Sequence, residues 1–147
     1  MNAHETVAIV MIEDDEGHAR LIEKNIRRAG IRNEIRHFAD GTSALAHLLD
    51  DPAGPRHGGP ALVLLDLNLP DMSGTAILER IKQDESLRRA PVVVLTTTDD
   101  KLEVARCYDL GCNVYITKPV NYDSFSDAIR QLGLFLAVIQ VPAIGDD

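Results

Sequence analysis

ALVLLD (61–66) is the stretch that decides the fold. Five apolar residues run without a polar break and stop on an acid. PRHGGP (55–60) precedes them and DLNLPDMSG (66–74) follows, so turn signals bound the run on both sides. A strand apolar at every position has both faces covered, which is the condition of a central strand in a parallel sheet. Three more runs have the same form. VAIVMI (7–12) is followed by Glu13 and Asp14, PVVVL (91–95) ends on Thr96, and NVYIT (113–117) precedes Lys118. EIRHF (34–38) mixes polar and apolar residues and reads as an edge strand.

Helical spacing fills the intervals. Leu21, Ile22, Asn25, Ile26 and Ala29 share one face of a helix over about 17–29, with Gly30 placed to end it. A second helix is predicted over about 41–49, a third over about 74–84 and a fourth over about 99–110, the last closed by Gly111. DDPAGPRHGGP (50–60) reads as an exposed loop, longer than most helix-to-strand connections. A final helix over about 122–139 begins after Lys118-Pro119 and stops before Pro142. Five strands alternating with five helices predict a doubly wound α/β fold, a parallel sheet with helices on both faces. No repeat or second domain is visible, so residues 1–147 read as a single domain.

Composition narrows the function classes. The net charge of −8 argues against a nucleic-acid surface, which would be basic. Arg27, Arg28, Arg32 and Arg36 form a local basic stretch, read as a solvated helix end and loop. Cys107 and Cys112 are too few and wrongly spaced for a disulfide framework or a zinc site, and reduced thiols suit a cytoplasmic location. MNAHET (1–6) lacks the pattern of a signal peptide. The longest apolar run falls short of the ~20 residues that span a bilayer, so no membrane association is expected.

In an open parallel sheet, ligands bind outside the carboxyl ends of the strands. One crevice therefore collects Glu13, Asp14, Asp66, Thr96 and Lys118. Mg²⁺ takes oxygen ligands from one or two carboxylates and keeps several waters. Asp14 and Asp66 can each give one oxygen, Glu13 can hold a bound water, and a backbone carbonyl just after Asp66, that of Asn68, can add another. Lys118 and the cation offset the repulsion among the carboxylates. Lys118 and Thr96 can also hold phosphoryl oxygens. An ionised aspartate needs no base to attack phosphorus and form an acyl phosphate, which gives Asp66 a task. Taken singly, each of these residues is more often a turn, a cap or a solvated charge. Their joint placement at four strand ends carries the functional reading.

IEDD (12–15), LLDLNLPDMSG (64–74), VVLTT (93–97) and YITKP (115–119) together resemble the receiver domain of two-component response regulators, over residues ~7–139. The resemblance implies a flavodoxin-like sheet of order 2-1-3-4-5. It implies Asp66 as phospho-acceptor, with Glu13, Asp14, Asp66 and the Asn68 carbonyl around Mg²⁺. Thr96 and Lys118 would contact the phosphoryl group. It also implies a cis Lys118–Pro119 peptide and a switch aromatic at Tyr115 coupled to Thr96. Asp15 extends the acidic run and opens a second register, Asp14 with Asp15. The helix start near Gly17 favours Glu13 with Asp14, leaving Asp15 as a turn or N-cap residue. Asn68 and Thr98 stand where receivers tune water access to the phosphoryl group.

The segment after Pro119 leaves no room for an output domain, which predicts a stand-alone receiver that acts by binding and is not an enzyme. Phe125, Ile129, Leu132, Leu136 and Ile139 form a seam, and Leu134, Phe135, Ala137 and Val138 make the last turns apolar all round. We read this as a homodimer surface on the last helix. FLAVIQVP (135–142) is similar to the C-terminal extension of receivers paired with phytochrome-type histidine kinases, which implies a sensor histidine kinase, a bacteriophytochrome, as phosphodonor. Two other classes compete. A haloacid-dehalogenase-type phosphatase also uses a strand-end aspartate, Mg²⁺ and a lysine, but needs an acid two residues on, where this chain has Asn68. A nucleotide- or flavin-binding fold needs a phosphate loop after a strand, which EDDEG (13–17) is not.

Overall fold

The computed structural model describes residues 7–118 apart from 29, 58 and 59. The predicted last helix, its apolar extension and the Lys118–Pro119 peptide lie outside the described residues. Within them the elements are β1 (Ala8–Ile12), α1 (Glu16–Arg28), β2 (Ile35–Phe38), α2 (Gly41–Leu45), β3 (Ala61–Leu65), α3 (Gly74–Gln83), β4 (Val92–Thr96), α4 (Lys101–Leu110) and β5 (Val114–Thr117). The strands form one sheet in the order β2-β1-β3-β4-β5, and every neighbouring pair is parallel. β3 is buried along its whole length, as its composition requires, and β2 lies at an edge.

Strand periodicity sorts the core into two layers, because alternate side chains point to opposite faces. Val10, Ile12, Val63, Leu65, Val92 and Val94 face one way and pack with Ala44, Leu48, Ile77, Leu78, Ile81 and Cys107. Ile9, Met11, Leu62, Leu64, Val93 and Leu95 face the other way, against Ala19, Ile22 and Ile26 of α1. Each fully buried aliphatic side chain contributes about 1.5–3 kcal/mol. Helices therefore cover both faces, as the alternation predicts. Burial pushes the Cys107 thiol up and the Cys112 thiol up to about 11, so neither is a thiolate at neutral pH.

Helix ends follow local chemistry. The side chains of Asp40, Ser73 and Asp100 accept from the backbone N–H of Ser43, Thr75 and Leu102 and cap α2, α3 and α4. Gly111 ends α4 at φ 109°, a left-handed conformation that favours glycine. The predicted second helix departs from its expected form. Regular α-helix stops at Leu45, and Ala46–Asp50 continue as a wider π turn in which Asp51 N donates to Ala46 O at 2.9 Å. The loop after it is not simply exposed, since Gly54 and Pro55 are buried. A Cβ on Gly54 would lie 2.0 Å from the His47 carbonyl oxygen, so the loop backbone closes directly onto the wide turn.

A tie links α2 to the loop that follows β3. The Asp71 carboxylate accepts from Gly41 N and Thr42 N, each at 2.8 Å, and from Thr42 Oγ at 2.5 Å. The Thr42 hydroxyl and these N–H groups hold the Asp71 carboxyl down at about 2, against an ordinary value of 3.8. A depressed carboxylate stabilises the fold above its unfolded value and loses that contribution as pH falls through its folded value. Urea midpoints of the parent should therefore drop more than those of Asp71→Asn between about pH 5 and pH 2. Equal drops would remove the tie from the stability of the fold.

Candidate functional site

The carboxyl ends of β1, β3, β4 and β5 lie side by side, since Ile12 pairs with Leu65 and Thr96 with Thr117. The backbone ladder continues one residue past three of them. Glu13 N donates to Phe38 O at 2.9 Å, Asp66 N to Ile12 O at 3.0 Å and Lys118 N to Thr96 O at 2.6 Å. The residues that follow each strand are thereby held at the sheet edge before any side-chain contact forms.

Carboxylate oxygens of Glu13, Asp14 and Asp66 all lie within 4.8 Å of one another. Glu13 and Asp66 are buried and Asp14 is exposed. The buried Lys118 ammonium donates to Glu13 Oε1 and, at 3.2 Å, to Asp66 Oδ2. Burial pushes the Glu13 carboxyl up, and the ammonium bonded to it pulls it part of the way back. Three carboxylates and one ammonium leave a formal charge of about −2 in a small volume, open to solvent on the Asp14 side. That all-oxygen, under-neutralised donor set fits a hard divalent cation.

The other candidates join this cluster through the loops. Asn68 N donates to Asp66 Oδ1 at 3.1 Å, and Asn68 Nδ2 donates to the Thr96 and Thr98 hydroxyls, each at 3.4 Å. Thr96 is fully buried. Tyr115 is turned inward, its hydroxyl donating to Thr98 O at 2.5 Å, and burial pushes its phenol up to about 12. Thr98 N reaches Thr96 Oγ at 3.5 Å, so Thr98 connects the tyrosine to the threonine.

Asp15 takes a different place from its two acidic neighbours. Its Oδ1 accepts from His18 N at 2.9 Å and its carbonyl from Ala19 N, which makes it the N-cap of α1. The His18 N–H holds the Asp15 carboxyl below its ordinary value. Sequence reasoning missed His18, whose Nδ1 lies 3.4 Å from Lys118 Nζ. A lone histidine in a helical first turn carries no signal of its own. The spacing of one turn after the acidic pair is the only hint the sequence offers.

The response regulator receiver domain profile matches residues 9–130. Response regulator Rcp1 of Synechocystis sp. is 35% identical over 136 residues, covering 92% of each chain. The manganese-bound form of Rcp1 superposes with a TM-score of 0.84 at 34% identity, over 93% of this chain and 99% of that one. A response regulator receiver domain from Rhodospirillum rubrum is 65% identical, with a TM-score of 0.88 over 95% of this chain and 100% of its own. The phosphorylated cyanobacterial phytochrome response regulator RcpA is 32% identical, with a TM-score of 0.81 over 95% of this chain and 99% of that one. Nothing among these relatives supports the phosphatase alternative. Among the described residues no helix is long and apolar enough to cross a membrane. Sheet order, clustered acids and sequence relatives converge on one family, and the chain belongs to the response regulator receiver domains, close to those of phytochrome signalling.

Proposed function

We propose that this chain accepts a phosphoryl group on Asp66 from a sensor histidine kinase, with a phytochrome-type kinase as the donor. The observation that carries the reading is the buried Lys118 ammonium shared by Glu13 and Asp66 beside the Asp14 carboxylate. An Asp66 oxygen attacks the phosphorus of a phosphohistidine, the P–N bond breaks, and the imidazole leaves. Glu13, Asp14, Asp66 and the Asn68 carbonyl would hold Mg²⁺, which supplies charge neutralisation at the phosphoryl oxygens. The manganese-bound form of Rcp1 supports a divalent ion here, and likeness to RcpA supports the phytochrome link. Lys118 and the Thr96 hydroxyl take up phosphoryl oxygens. When Thr96 turns to the phosphoryl group it withdraws from Asn68 Nδ2 and Thr98 N, which couples it through Thr98 to Tyr115.

The chain acts as a stoichiometric acceptor in the cytoplasm, one domain that signals by binding protein rather than nucleic acid or membrane, and not as a turnover enzyme. Incubation with acetyl phosphate and Mg²⁺ should add the mass of one phosphoryl group, and chelation should prevent it. Multiple-turnover hydrolysis of phosphomonoesters would instead favour an enzyme. The sequence spacing of Phe125, Ile129, Leu132, Leu136 and Ile139 supports a homodimer through the helix predicted from the sequence there. Sedimentation should show a dimer at tens of micromolar, and a monomer at that concentration would exclude it.

A further inference from the structure

The Lys118 ammonium carries three N–H donors and has three acceptors: Glu13 Oε1, Asp66 Oδ2 and His18 Nδ1. An ammonium only donates, so the nitrogen facing it must present a lone pair. A hydrogen bond between the two nitrogens requires the His18 ring in the tautomer protonated on Nε2. A half-buried imidazole in a helical first turn is free to face water. This one faces another basic group, an arrangement that repels unless the ring is an acceptor.

The surroundings hold the ring there. Lys118 Nζ donates to Glu13 Oε1, the other Glu13 oxygen accepts from Asp15 N at 3.1 Å, Asp15 Oδ1 accepts from His18 N at 2.9 Å, and His18 Nδ1 closes the circuit on Nζ at 3.4 Å. The circuit joins the first turn of α1 to the residue after β5. Two of the three acceptors on Nζ are carboxylates that a divalent cation and a phosphoryl group would claim. The imidazole is the one uncharged acceptor, and a hard cation has no preference for it over oxygen.

We propose that His18 is a positioning residue for Lys118, holding the ammonium at the site while Glu13 and Asp66 turn to the cation and the incoming phosphoryl group. This rests on the phospho-acceptor reading of Asp66. Misplacing a charge-stabilising group by a fraction of an ångström slows the transfer it assists.

Two measurements test it separately. Long-range ¹H–¹⁵N NMR of the intact chain at about pH 8.5, where an imidazole is neutral, should show His18 protonated on Nε2, and Lys118→Met should shift the Nδ1 resonance. Acetyl phosphate labelling at saturating Mg²⁺ should slow about tenfold in His18→Leu, and His18→Asn, whose Oδ1 can stand near the lost Nδ1, should recover to within about threefold of the parent. A His18 ring protonated on Nδ1, an Nδ1 resonance indifferent to Lys118→Met, or parental labelling in His18→Leu overturns the proposal. A parent that takes no label but keeps the Lys118-dependent Nε2–H tautomer leaves the contact standing and refutes the phospho-acceptor reading instead.

Discussion

Asp66→Asn is expected to take no phosphoryl group from acetyl phosphate while keeping the fold. Asp66 Oδ2 accepts from Lys118 Nζ at 3.2 Å and Oδ1 from Asn68 N at 3.1 Å, and in the proposed transfer one of these oxygens would attack. An amide has no ionised oxygen to attack phosphorus, and no second carboxylate replaces it. Glu13 is tied to Lys118 and to Asp15 N. Asp14 is exposed, and its carboxylate belongs to the oxygen set that fits the cation. The loss should therefore be complete rather than partial. The fold survives because removing one of three clustered carboxylates also relieves repulsion. Divalent-ion affinity should fall roughly tenfold, the equivalent of about 1.4 kcal/mol. Intact-mass measurement after labelling, together with metal titration, checks both parts. A labelled Asp66→Asn chain would place the acceptor elsewhere.

Gly74→Ala should be the most destabilising small substitution near the site. Gly74 opens α3, and its N–H donates to Leu67 O at 2.9 Å. A Cβ there would sit 2.4 Å from Asp66 O and 2.6 Å from Leu67 Cα. Both are backbone atoms, so no side chain can rotate away to make room. We expect a loss of about 3 kcal/mol, the upper range for overpacking a close contact. Any folded fraction should label slowly, because the shift moves the Asp66 backbone. Gly30→Ala is the contrast. Gly30 has φ 89° and open space around its would-be Cβ, so only left-handed strain is added, worth about 1 kcal/mol. Urea unfolding of the two variants separates the cases. Equal midpoints would mean that the approach of α3 to the Asp66 loop is not tight.

Much of the fold was legible because it rests on local pattern. Each strand of the sheet falls within a residue or so of its apolar run, and the mixed composition of IRHF (35–38) marks it as an edge strand. The second helix was legible only in part. AHLLD (46–50) has helical spacing in the sequence, yet adopts a π turn, and the Gly54 loop packs against its His47 carbonyl, a contact that helical spacing does not encode. The glycine in MSG (72–74) is visible as part of a motif, but its reason is a contact with Asp66 and Leu67. The sequence reads Asp15 as a turn or N-cap residue, and its bond to His18 N makes it the cap.

What the sequence by itself determined is which residues end the strands. Period-two burial and turn signals are local, and a parallel sheet must bring its carboxyl ends to one edge, so Glu13, Asp66, Thr96 and Lys118 share that edge. Only the tertiary structure decided which atoms meet there. Lys118 reaches Glu13 across 105 residues, His18 supplies its third acceptor, and Tyr115 finds the Thr98 carbonyl. Those choices follow from how loops pack once the sheet and helices have closed, and no local pattern encodes the closing geometry of distant segments.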